Sequence, residues 1–202
     1  MTEQLSNEKK SLILDAACKR FAYYGFSKVT MDEIASDVGM GKASLYYYFP
    51  TKESLFETVL RNEFDVFFSS IEKILKQDIS ACKIFRIYAS ERLEYFKKLA
   101  NLRVLSIQGS AESKNVDFEM FKEFQHAEID MLQRILLVGK KRGEFLVSNP
   151  GKTAEMILQM FFGARVWNLK MRLNVFDDEA FEAMKISMKE IIEIILNGIL
   201  KK

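Results

Sequence analysis

The sequence predicts an all-α protein. An N-terminal three-helix unit is joined through a fourth helix to a larger helical domain, about nine helices in total. Three observations predict this. The 202-residue chain holds only nine Gly and two Pro, a breaker content that suits long helices with short connections. Apolar residues recur three and four apart along most of the chain, the period of a helix with one buried face. The first sixty residues also carry several complete helix start and stop signals.

Ile13, Ala16, Ala17 and Phe21 fall at helical spacing and predict a first helix over about Glu8–Tyr24. Gly25 then provides the left-handed residue that ends a helix, and Phe26 is placed to touch Phe21. The second helix has a capping box in Thr30 and Glu33, with Val29 and Ile34 at the positions of a hydrophobic staple. It ends two turns later at Gly39. A helix this short is not stable alone and must pack on its neighbours. Gly39-Met40-Gly41 is a tight turn, and a third helix covers about Lys42–Tyr48. Phe49 precedes Pro50 and is biased out of the helical region. Thr51 caps a fourth helix that runs to about Lys76.

A short helix, a Gly-containing turn and a second short helix form the helix-turn-helix pattern. Many helical cores contain it, so the composition of the third helix carries the weight. Leu45 and Phe49 lie four apart and face a core. Lys42, Ser44, Tyr47 and Tyr48 are then largely outward, with Tyr46 at the boundary. Three consecutive tyrosines are hard to bury, since each hydroxyl needs a partner. Exposed, they offer donors to phosphates and flat faces to sugars and bases. The competing arrangement packs them against the first helix.

Overall charge does not announce a nucleic-acid binder. The net charge is +2, and residues 1–56 hold seven basic and seven acidic side chains. The distribution is more telling: between Val38 and Lys52 there is no acid, only Lys42 and Lys52. That stretch is expected to present a locally cationic face.

The run from Thr30 to Leu55 resembles the TetR (tetracycline repressor) family of transcriptional regulators. Thr30, Ile34, Ala35, Gly39, Leu45, Tyr46, Phe49, Lys52 and Leu55 match that pattern in order and spacing, and Ile13–Gly25 matches its first helix. The close similarity covers about Ile13–Leu60. The resemblance implies a helix-turn-helix DNA-binding domain over residues 1–55 and a helical ligand-binding and dimerisation domain over 56–202. It also implies contacts to phosphate from Thr30, Met31 and Lys52, to base edges from Lys42, Ala43 and Ser44, and to backbone or bases from Tyr46, Tyr47 and Tyr48. Many members have His at the position of Tyr48 and Ser at that of Gly41. The third helix has no Arg, Asn or Gln, so bidentate base readers are absent. Lys42 to guanine and the Ala43 methyl to thymine are the expected direct contacts, with DNA shape supplying much of the specificity.

Beyond the fourth helix the sequence predicts helices near Ser80–Ala100, Arg103–Ser110, Phe118–Arg142, Asn149–Arg172 and from Asp177 to about Leu200. A polar loop is expected at Glu112–Asn115, and Asn149 caps a helix with Pro150 in its first turn. The ninth helix carries an apolar stripe at Phe181, Met184, Met188, Ile191, Ile192, Ile195 and Ile199. A second set, Ile186, Ile194, Leu196 and Leu200, widens it beyond one face. The eighth is similar, with Met156, Ile157, Met160, Phe161, Phe162, Val166, Trp167 and Leu169. Such helices are either central in a monomeric bundle or, as the resemblance implies, the two-fold interface of a homodimer. The aromatic stripes of the fifth and seventh helices are either plain core or the wall of a cavity. With the resemblance, Tyr88, Tyr95, Phe121, Phe124, Met131, Met160 and Trp167 are candidate contacts to an apolar or amphipathic effector. The expected partners are therefore double-stranded operator DNA, a second copy of the chain and a small molecule. The alternative is a DNA-binding regulator without a ligand, acting by occupancy or through a protein partner.

Other classes lack their residues. Cys18 and Cys82 form no CxxC pair, and a single histidine, His126, builds no metal set. There is no G-x-S-x-G and no phosphate loop, so no enzyme and no cofactor are expected. Residues 1–11 are polar and charged, unlike a signal peptide, and no apolar run reaches spanning length. A cytoplasmic, membrane-free protein is expected.

Overall fold

The computed structural model describes residues 2–101, 118–171 and 178–200. The expected sixth helix at Arg103–Ser110 and the loop at Glu112–Asn115 lie outside these residues. Among the described residues eight α-helices occur and no β-strand: α1 (Thr2–Tyr24), α2 (Met31–Asp37), α3 (Lys42–Tyr48), α4 (Lys52–Leu75), α5 (Ala81–Asn101), α6 (Phe118–Lys141), α7 (Pro150–Met171) and α8 (Asp178–Ile199). The eighth and ninth helices expected from sequence are thus α7 and α8. The one clear shift is α1, which starts six residues before Glu8. Residues 2–7 hold one apolar side chain, Leu5, and so carry no apolar period, but they contain no breaker either, and the helix continues through them.

The chain divides into two compact units. Residues 2–66 with 96–101 form one, and residues 67–95, 118–171 and 178–200 form the other.

In the first unit the short elements are fixed by their ends. Gly25 sits at φ 82° and ψ 156°, a region essentially closed to other residues, and Phe21 stacks on Phe26 at 5.7 Å. The capping box at α2 is complete: the Glu33 amide donates to the Thr30 hydroxyl at 3.3 Å, and the Thr30 amide donates to the Glu33 carboxylate at 2.8 Å. Gly39, at φ 65°, closes α2 in a Schellman arrangement, with the Met40 amide donating to the Ala35 carbonyl at 2.9 Å and that of Gly39 to Ser36 at 3.1 Å. Phe49 is extended before Pro50, and the Thr51 hydroxyl accepts from the Ser54 amide at 3.0 Å to start α4. Ile13, Phe21, Phe26, Val29, Ile34, Leu45, Phe49, Leu55 and Phe56 close the core. The rings of Phe21, Phe26 and Phe56 meet at its centre. Arg20 on α1 pairs with Asp37 and lies 3.4 Å from Glu33, tying α1 to α2 and holding the Asp37 carboxyl below its usual range.

In the second unit, Gly143 (φ 73°) terminates α6, and Asn149 caps α7 by accepting from the Lys152 amide at 3.0 Å. The carboxylate of Glu144 accepts from the Ala81 amide at 2.8 Å, placing a negative charge at the start of α5. Phe67, Ile71, Phe85, Tyr88, Leu132, Ile135, Ile157, Phe161, Met188, Ile195 and Leu196 share one core. The apolar residues of α8 are thereby sorted. The first stripe, with Leu196, packs inward, whereas Ile186 and Ile194 are exposed. No described helix is long and apolar enough to cross a membrane.

Candidate nucleic-acid interface

Helix α3 presents the face that its composition requires. Leu45 and Phe49 are buried and Tyr47 is 84% exposed, but Tyr46 is exposed and Tyr48 is the half-buried one, the reverse of the expected order for these two. Ala43 and Ser44 are exposed beside them. The rings of Tyr47 and Tyr48 meet edge to face at 5.5 Å.

Two of the expected contacts have partners within the protein. Lys42 forms an ion pair with Asp32 on α2 at 2.9 Å, and the hydrogen bond to that carboxylate holds the Lys42 pKa above its ordinary value. The stretch after Val38 is therefore less cationic than its own sequence suggests, because α2 brings an acid to it. Lys52 donates to the carbonyls of Phe26 and Val29, each at 3.0 Å, with its ammonium 4.3 Å from the Phe26 ring centroid. In this position it closes the carbonyl end of the turn before α2. A phosphate contact from Lys52 requires it to share or exchange these acceptors.

At the start of α2, the Thr30 hydroxyl donates to Glu33 at 2.8 Å. These bonds from Thr30 hold the Glu33 carboxyl below its usual range. The Met31 side chain is buried at 6% exposure. What Met31 can offer a phosphate is its main-chain amide, in the first turn of the helix. Thr30, Met31, Lys42 and Lys52 are thus gathered on the α2 side of α3. Ala43, Ser44, Tyr47 and Tyr48 instead border an open groove of about 730 Å³ whose other wall is Lys9 and Leu12 of α1. Lys9, Leu12 and Asp32 border this face from neighbouring helices, a placement that no local sequence signal announces.

The effector candidates do not gather in one place. Tyr88 and Met131 are fully buried in the second unit's core, with the half-buried Tyr95 stacked on Phe67 at 5.2 Å. The Tyr88 hydroxyl donates to Glu128 at 2.8 Å, and Arg92, buried beside it, pairs with the same carboxylate and covers the Phe161 ring at 5.1 Å. Phe124 is half-buried on α6, and the side chain of Phe121 lies outside the described residues. Met160 and Trp167 lie elsewhere, on the exposed side of α7. Seven residues apart, they share a stripe with Met156. The Arg92–Glu128 pair was not singled out from sequence, because charged residues 36 apart give no local signal of burial together. No group of His, Cys, Asp or Glu suited to a metal occurs among the described residues.

Residues 13–59 match the sequence family described as bacterial regulatory proteins, tetR family. A transcriptional regulator from Cytophaga hutchinsonii of solved structure is 38% identical, covers 95% of this chain and 98% of its own, and superposes with a TM-score of 0.84. The HTH-type transcriptional regulator RutR of Escherichia coli is 35% identical over 86 residues, 43% of this chain and 40% of RutR. A transcriptional regulator from Saccharomonospora viridis, solved in complex with choline, is 17% identical, covers 97% of this chain and all of its own, and has a TM-score of 0.69.

Proposed function

The chain belongs to the tetR family of bacterial transcriptional regulators, and from that premise we propose that it is a ligand-responsive repressor, a homodimer that binds a palindromic operator. The observation that carries the DNA half is the exposed face of α3, where Ala43, Ser44 and Tyr47 stand outward on a helix anchored by Leu45 and Phe49. One helix reads too few base pairs to be selective, and a two-fold pair doubles the site. Lys42 reads a base by exchanging Asp32 for it, and Tyr47 holds a phosphate. Thr30, the Met31 amide and Lys52 meet the strand at the start of α2.

The pairing surface is assigned to α7 and α8. Met156, Met160, Phe162 and Trp167 on α7 and Ile186 and Ile194 on α8 are large, apolar and exposed. A second copy covering them explains why two helices that already bury one face carry a second. Met160 and Trp167 are accordingly reassigned from effector contact to dimer contact.

An apolar or amphipathic effector is proposed for the second unit, with the half-buried Tyr95 of α5 and Phe124 of α6 as candidate contacts. The choline complex of a same-fold regulator supports a small-molecule site in this architecture. Helix α4 contributes Leu55, Phe56 and Val59 to the first unit's core and Phe67 and Ile71 to the second's. It is therefore the proposed carrier of the signal. The deciding experiment is selection of bound duplexes from a random pool, repeated with candidate effectors. An enriched palindrome lost on adding a compound supports the repressor. By reciprocity, the operator must weaken that compound by the same factor. No enriched sequence refutes operator binding.

A further inference from the structure

The groove bordering α3 lies on the flank of that helix away from the Lys42–Asp32 pair. Its lining is specific. Lys9 and Leu12, three residues apart on α1, form one wall, and Ser44, Tyr47 and Tyr48 of α3 form the other. Val38 to Gly41 lie at its floor. Nothing in the protein lies within 4 Å of where a Cβ would stand at Gly39 or Gly41, so the main chain of the floor is open to approach. Leu12 is 60% exposed, an apolar side chain left mostly uncovered by the protein. Glu8 and Asp15 flank Leu12 at four and three residues' distance on α1, but neither lines the groove, and Lys9 is the charged residue among its lining.

A helix seated in the major groove has a phosphate strand on each side, about 12 Å apart. The start of α2 and Lys52 address one side. Resting on the DNA-binding reading above, we propose that the α1–α3 groove receives the other strand: Lys9 holds a phosphate, the hydroxyls of Ser44 and Tyr48 donate to the same strand, and Leu12 packs on its deoxyribose. The first helix is then part of the DNA-binding surface, adding a sequence-independent contact to a reading helix that has few base readers.

The test measures binding of the full chain to a 40-base-pair duplex of random sequence as potassium chloride is varied. Each phosphate neutralised contributes about 0.9 to the slope of log affinity against log salt. Lys9→Gln is expected to lower that slope by about 0.9 per protomer and to weaken binding severalfold at low salt. Leu12→Glu is expected to weaken binding at least as much, and as an exposed site it leaves the thermal midpoint in place. Lys19→Gln lies ten residues along α1, about 15 Å away, and is expected to keep the native slope. If Lys9→Gln and Leu12→Glu both match the native chain while Lys42→Ala/Tyr47→Ala loses affinity, the groove is not a strand site and the DNA-binding reading stands. A native chain whose binding shows no salt dependence overturns both.

Discussion

Ile194 and Ile195 are adjacent on α8 and occupy opposite surroundings, which makes them a paired test of the dimer. Ile195 is 6% exposed within the second unit's core, and Ile194 is 71% exposed. Burying an isoleucine side chain fully is worth about 1.5–3 kcal/mol. If a second copy covers the exposed 71% of Ile194, each protomer gains about 1–2 kcal/mol there, and two-fold symmetry doubles it to about 2–4 kcal/mol. Ile194→Ala is then expected to weaken dimerisation by about 30- to 1000-fold. Its effect on protomer stability should stay within about 0.5 kcal/mol, as for other surface changes. Ile194→Glu adds an unpaired buried charge and is expected to give a folded monomer. Ile195→Ala behaves oppositely, costing the fold about 2–5 kcal/mol through a core cavity. Sedimentation velocity across nanomolar to micromolar concentration reads the first effect, and thermal unfolding monitored by circular dichroism reads the second. A native dimer whose mass is unchanged by Ile194→Glu refutes the assignment of this face of α8.

The remaining expectations concern other contacts. Lys42→Ala should weaken operator binding by about 1–3 kcal/mol and relax preference at one base pair per half-site, measured by competition among single-base operator variants. Tyr47→Phe should weaken all duplexes alike, since a phosphate contact carries no base information; a changed preference would show that Tyr47 reads bases. Asp32→Asn should tighten DNA binding by removing an acid and its claim on Lys42, so weaker binding in a filter assay would reject the exchange of Asp32 for DNA. Glu128→Ala strands the buried Arg92 and should cost about 3–5 kcal/mol in urea unfolding, whereas Glu193→Ala, breaking an exposed pair with Arg86, should cost under about 1 kcal/mol. Burial, and next the nearby Glu63 carboxylate, push the Cys18 thiol up to about 11. The protonated form is therefore favoured in the fold, and iodoacetamide should modify Cys18 appreciably only as pH approaches 11; rapid alkylation at pH 8 contradicts this.

Most of the first unit was legible because its determinants are local. A capping box spans four residues, a Gly-ended helix spans six, and Phe49-Pro50 sets its own boundary. The Thr30–Glu33 exchange, the Gly39 turn and the break at Phe49 are present in the geometry, whereas Gly25 ends α1 at ψ 156°, outside the left-handed helical region expected of it. Burial was legible on α3 because Leu45 and Phe49 are four apart on a helix too short to be ambiguous. On α8 the same method gave an apolar surface too wide to orient. The helical period shows that the surface needs more than one partner, but cannot say that Leu196 turns inward while Ile194 turns out. That depends on where α7 sits, which is a non-local fact.

The surface proposed to face DNA shows the same division in its charges. Read along the chain, Val38–Lys52 has two lysines and no acid, hence a cationic face. In the folded protein each ammonium has found an oxygen: Asp32 for Lys42, the Phe26 and Val29 carbonyls for Lys52. The Lys42–Asp32 pair is more than half exposed on both sides, so it adds little to stability and can be given up. Its consequence is for the proposed binding, in which a phosphate or a guanine edge must replace Asp32 rather than meet a bare charge. Such an exchange lowers affinity for any duplex while leaving the correct base to recover the difference. A surface with no net excess of charge can in this way discriminate among sequences by holding its cations in reserve, and the repulsion between Asp32 and a misplaced phosphate adds to that discrimination.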